Sequence, residues 1–309
     1  MVILVDKYLF KQIQIYLSEN YMVHNMQKNN PLAAFMRQPK VYIVLPSQGL
    51  YYPPQAIDLG ENGNLAVYSM TAKDELLLNV PDALMNGQAV VDVIQNCVPA
   101  IKNAWYVPSI DIDLILLAIR LATYGEIMNT PVKINDDIEY EYQVDLRNVM
   151  DDILNYFAWE PVIPIDDNMT IYVRPLYYKE MTKNAIQTFE TQKIMQAVND
   201  DKLSEEQKQE IFKSSFTKLS EVTVGIISDS IIRIDTPDGS VDNPEFIREF
   251  IDNVDKEVFN KIQNHLDKLK DLNSIKPIVV PVTDEMREKG ITGETIEVPL
   301  TFDPSTFFV

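Results

Sequence analysis

The side chains suited to nucleophilic or metal chemistry are few. The 309 residues hold two histidines, His24 and His265, and one cysteine, Cys97. A Ser-His-Asp or Cys-His arrangement would have to use one of these imidazoles. His265 falls on the polar side of a helical stripe, beside Asn264, and reads as an exposed helical histidine. His24 lies in an N-terminal segment that stands apart from the rest. Cys97 ends an apolar run before Pro99 with nothing cationic nearby to lower its pKa, so it reads as a buried structural thiol. A single thiol can form no internal disulfide and no cysteine zinc cluster, which fits a reducing compartment.

Carboxylates are plentiful. Asp136 and Asp137, Asp151 and Asp152, Asp166 and Asp167, and Asp200 and Asp201 form doublets. Paired carboxylates can serve acid–base or metal chemistry. Adjacent residues point to opposite faces of a strand and diverge by about 100° on a helix, so each doublet reads as a solvated turn or helix end. DTPDGSVDNPEF, residues 235–246, resembles a calcium loop only superficially, with Pro237 third and Ser240 where an EF-hand needs glycine. No phosphate-binding glycine loop is present. Residue chemistry therefore predicts a protein that is not an enzyme and carries no cofactor.

Formal charge is −19, from 27 basic and 46 acidic residues. Such a chain repels nucleic acid, whose binding rests on cationic contacts to phosphate, and anionic membrane surfaces. The longest apolar run, residues 110–122, is broken by Asp111, Asp113 and Arg120 and falls short of the ~20 residues of a membrane span. The N-terminus has spread charges and no small-residue cleavage site, which makes it a poor signal peptide.

The elements that would position these side chains give an α+β, mostly helical chain. KVYIVL (40–45) and LAVYS (65–69) read as strands. Thr71 is placed to cap a helix with Asp74 at its third position, and Ser109 to cap another. From 111 to 124 that second helix is apolar nearly all round, so it is predicted to be central and buried, with Gly125 just past its end. Residues 138–145 alternate apolar and polar as one strand of a β-ribbon, with Val132 and Ile134 on its partner. In the second half, residues 169–185 run from strand into helix. Ser204 and Gln207 form a capping box, Asn243 and Pro244 start a helix, and Asp255 opens a last one. Residues 277–282 and 295–302 predict a second ribbon. Both halves thus read strand, helices, ribbon, which suggests two similar lobes, 29–158 and 159–309, after an N-terminal extension, 1–28. That extension could form an amphipathic helix or be sequence translated from an early start codon.

Several segments together resemble one family. They are LPSQGLYYP (45–53), MTAKDE (70–75), PDALMNGQAVVDVIQNCVP (81–99), PSIDIDLILLAIRLATYGE (108–126) and EVPLTFDPSTFF (297–308). From about Asn30 to Val309 the chain resembles the baseplate hub assembly proteins of T-even-like contractile-tailed phages. The resemblance implies an assembly or structural role. Its partners would be hub or tail proteins, met in the host cytoplasm during assembly or in the virion baseplate. Members of that family commonly carry a C-P-x-C pair in each ribbon, like a four-thiolate zinc site. The matching positions here are Lys133, Ile134, Asn135 and Asp136, and Thr283, Asp284, Glu285 and Met286. None is a thiolate, so zinc is not carried over, and the ribbons must be held by their own ladders and by apolar packing. Phe302, Phe307 and Phe308, with Tyr142 from the first ribbon, are the candidate ribbon-docking or partner contacts. Pro304 would break the last strand, and Ser305 and Thr306 could turn Phe307 and Phe308 back onto the fold.

Overall fold

A computed structural model of the protein describes residues 32, 35–60, 62–135, 138–197, 204–298 and 300. Contacts divide the chain into two units, 1–38 and 39–309. In the first, the described residues include one turn, in which the Phe35 amide donates to the Leu32 carbonyl at 2.9 Å.

The second unit mixes helices with small antiparallel sheets. Strand β1 (Pro39–Ile43) pairs with β2 (Leu65–Tyr68). Helix α1 (Ala72–Leu78) begins at a complete capping box, Thr71 with Asp74. Pro81 starts α2 (Pro81–Met85), and left-handed Gly87 starts α3 (Gln88–Cys97). α4 (Ser109–Tyr124) buries ten of its sixteen residues and ends at Gly125, as its all-round apolarity predicts. Ser109 is not its cap. Pro108 holds that position, and the Ser109 amide donates instead to the Leu176 carbonyl at 2.8 Å.

β3 (Ile127–Asn135) and β4 (Ile138–Asp145) form the first ribbon, and α5 (Leu146–Tyr156) leaves it. β5 (Val162–Pro164) and β6 (Thr170–Val173) open a four-stranded sheet. Two long helices follow, α6 (Tyr178–Ala197) and α7 (Glu205–Ser230), the latter with the expected Ser204–Gln207 capping box. β7 (Ile231–Thr236) and β8 (Gly239–Val241) complete the sheet. The calcium-like stretch therefore turns a hairpin, in which Ser240 Oγ donates to Asp235 Oδ1 at 2.6 Å. Asn243 caps α8 (Pro244–Asn253), and Asp255 caps α9 (Lys256–Asn273). The second ribbon pairs β9 (Ile278–Pro281) with β10 (Thr295–Val298), and a short α10 (Asp284–Glu288) lies between them.

Two apolar clusters hold the unit together. The larger gathers β1, β2, α1, α3, α4 and α5, with Ile115, Leu117 and Ile119 of α4 fully covered. Cys97 is buried within it. The smaller lies between the four-stranded sheet and α8 and α9. Residues 107–109 run beside 176–178, at the edge of the larger cluster. There the Tyr178 amide donates to the Val107 carbonyl at 2.9 Å, Trp105 stacks on Tyr178, and Tyr106 meets the edge of Tyr177. Arg174 and Glu180 form a two-pronged ion pair at that corner (2.8 and 2.9 Å), and Glu180 also accepts from the Tyr177 amide. Such a geometry fixes direction as well as distance.

Candidate functional site

Buried polar contacts fasten the four central segments of the family resemblance to one another. The Ser47 amide and hydroxyl donate to Asp111, at 2.9 and 2.5 Å, tying the loop after β1 to the first turn of α4. Asp74 closes the cap of α1 and also accepts from Asn96 Nδ2 at 2.6 Å, tying α1 to α3. The Met70 amide donates to Thr123 Oγ1 at 2.9 Å. Gly87, with φ of +78°, sits so close to α6 that a Cβ there would lie 3.0 Å from the Thr182 side chain.

Asp111 is fully covered. Burial pushes its carboxyl up to about 6, against the opposing pull of the Ser47 bonds. Tyr52 lies beside it, and burial first, then the Asp111 charge, holds that phenol far above its ordinary value. Asp113, two residues on, is also pushed up to about 6, by burial alone. These carboxylates interrupt the apolar run in the sequence; in the fold Asp111 is fully covered and Asp113 is half-buried.

The ribbons lie together without thiolates. Tyr142 of β4 is half-buried and packs against Val280 of β9, beside Ile278 and Ile296. At the second C-P-x-C position, Thr283 caps α10 by accepting from the Met286 amide, and Met286 is buried against Val282 and Ile291. The first position falls on the tip of the β3–β4 ribbon, where Asp136 is outside the described residues. Among the described residues, no three His, Cys, Asp or Glu side chains gather as a metal would require.

Beside the second ribbon is an apolar groove of about 490 Å³. Ile110 of α4, Val149, Ile153 and Tyr156 of α5, and Ile275 and Leu300 line it. The sequence gives no local sign of this groove, because its walls come from four separated segments. Of the four predicted contact residues, the structure places Tyr142 against the second ribbon. Phe302, Phe307 and Phe308 lie outside the described residues.

The other notable surface is the α6–α7 pair. These helices pack on one another, yet Phe189, Ile194, Phe212 and Phe216 stay exposed, Phe216 by 59%. The sequence pattern marks Phe212 and Phe216 as one helical row, and in the structure Phe212 is 39% exposed and Phe216 more so. His265 is half-buried rather than exposed, with its Nε2 2.9 Å from the Glu160 carbonyl oxygen, which makes it a link between α9 and the segment before β5. His24 lies outside the described residues. No helix among the described residues is long and apolar enough to cross a membrane.

No curated protein and no solved structure matches the chain. A family described as T4 bacteriophage base plate protein matches it over residues 58–293, which takes in α1 to α10, most of the larger cluster, the smaller cluster, the first ribbon and β9 of the second. That span is well over half of the sequence, and the chain belongs to the T4 bacteriophage base plate protein family.

Proposed function

We propose that this baseplate-related protein is a non-catalytic assembly factor. It binds a hub or tail subunit of the phage baseplate and holds it from premature association. The observation that carries this reading is the row of exposed apolar side chains on α6 and α7: Phe189, Ile194, Phe212 and Phe216. Exposed apolar side chains on two helices packed against one another fit a protein-binding surface. Work of this kind takes place in the host cytoplasm, and it needs neither a cofactor nor a nucleophile.

The family description supports a second reading, in which the protein is a permanent subunit of the mature baseplate. Both readings require hub or tail proteins as partners.

The test is affinity purification of the tagged full chain from infected cells, with the co-purifying proteins identified. A hub or tail subunit should co-purify with the wild type and be lost from Phe212→Ser with Phe216→Ser. The variant should melt as the wild type does, since both rings are exposed. Retention of the same subunit by the variant would contradict the assignment of this surface.

A further inference from the structure

We propose that the cavity between α6, α7 and α8 is a binding site for a free basic amino acid, arginine or lysine. This does not depend on the functional reading above.

The cavity measures about 500 Å³, within the range of small-ligand sites. Its charged lining is Lys183 and Glu190 of α6, Lys218, Glu221 and Asp229 of α7, and Arg248 of α8. Arg248 is engaged by Asp252 of its own helix at 3.0 Å. None of the other five is ion-paired among the described residues, although both signs line one space. Burial first, and then Glu180, raises the Asp229 carboxyl above its ordinary value, against the weaker pull of Lys183, Arg174 and Arg248. That direction suits an acid without a close cation. Opposite charges that share a cavity without joining leave room for an occupant that carries both.

Two neutral residues point the same way. Asn184 lines the cavity and is 9% exposed, and its Nδ2 has no hydrogen-bond partner among the described residues. A covered donor without a partner is costly, and this one calls for an acceptor. Gly225 stands inside α7, where glycine is a poor helix former. Among the described residues, a Cβ there would meet only the Arg248 guanidinium, at an ordinary 3.7 Å. Packing therefore does not demand this glycine, and the room it leaves belongs to the cavity.

The charge tally selects the ligand. Lys183 and Lys218 against Glu190, Glu221 and Asp229 leave one negative charge. The complement carries one net positive charge and also offers an acceptor to Asn184. A free basic amino acid does both. Its carboxylate would lie on Asn184 and Lys183, its α-ammonium on Asp229, and its side-chain cation on Glu190 and Glu221. Asn184 and Glu190 are six residues apart. That is about 9 Å along the helix axis, which suits a long, flexible side chain rather than a short one.

The test titrates the isotope-labelled full chain with L-arginine hydrochloride and reads its amide resonances, with sodium chloride at matched ionic strength as the control. Saturable shifts are expected at the Asn184 side-chain amide and within residues 183–194 and 218–229, with a Kd on the order of 1 mM. L-lysine should act alike. N-acetyl-L-arginine and L-norleucine each lack one cation and should bind roughly tenfold more weakly. Gly225→Leu improves helix propensity and fills the cavity, so it should melt no lower than the wild type and lose the shifts. Asp229→Asn keeps the shape and should weaken binding roughly tenfold. Shifts that fail to saturate, that sodium chloride reproduces, or that persist unchanged in either variant overturn the proposal. Equal binding of N-acetyl-L-arginine overturns it as well, because the ligand would then be the end of a chain.

Discussion

Ser47 donates twice to Asp111, through its amide at 2.9 Å and its hydroxyl at 2.5 Å, across 64 residues of sequence. Ser47 belongs to the LPSQGLYYP segment and Asp111 to PSIDIDL, so this contact is one reason those segments occur together. Both residues are buried, and a buried carboxylate loses stability when its donors are removed. Ser47→Ala deletes one donor to a covered oxygen and should cost ~1–3 kcal/mol. Asp111→Ala should cost at least as much, because it also leaves the Ser47 amide unpaired. Chemical denaturation of both variants checks this, and a double variant no worse than the single ones would show the coupling.

Asp113 gives a pH signature. Its carboxyl is raised from the ordinary value to about 6 by burial alone. The folded state thus holds this proton more tightly than the unfolded chain does. The associated stability is fully present below the unfolded value of about 4 and is lost as pH rises through about 6. Asp113→Asn removes the buried charge. It should be more stable than the wild type above pH 7, by up to roughly 3 kcal/mol. That advantage should shrink as pH falls from 6 towards 4. Melting both proteins across this range checks the sign, and a constant difference would contradict it.

Gly87 combines a left-handed backbone with a close approach to Thr182 of α6. Gly87→Ala should lose about 1–2 kcal/mol from conformation alone, and more from the contact. Gly63 also has positive φ, but a Cβ there would meet nothing within 4 Å. Gly63→Ala therefore serves as the control, and it should lose only the conformational part. Denaturation of the two variants side by side measures the difference.

Leu116 lies in α4 and is 3% exposed. Leu116→Ala should cost ~2–5 kcal/mol. An unchanged Tm would mean that α4 is not the centre of the larger core.

Much of this fold is legible in the sequence because its signals are local. The caps at Thr71, Ser204, Asn243 and Asp255 each depend on residues within three positions. The buried helix α4 shows in its unbroken apolarity, and the ribbon strand β4 in its alternation. What escaped depends on distant partners. Ser109 has the chemistry of a cap, but its amide is held by Leu176, and Pro108 takes the capping position. Residues 235–241 look like a loop because Pro237, Asp238 and Gly239 dominate them, yet the strands on either side pair as a hairpin. Asp111 reads as a polar break until Ser47 is brought to it. His265 reads as exposed until Glu160 arrives. The site follows the same rule: Tyr142 could be nominated from its strand, whereas the groove has no sequence signature.

That this baseplate family member assists assembly and then leaves is tested most directly by quantitative mass spectrometry of purified virions. The protein should be absent, or far below the copy number of any baseplate subunit. A whole-number stoichiometry relative to the hub would contradict the assembly role and make the protein a permanent part of the baseplate.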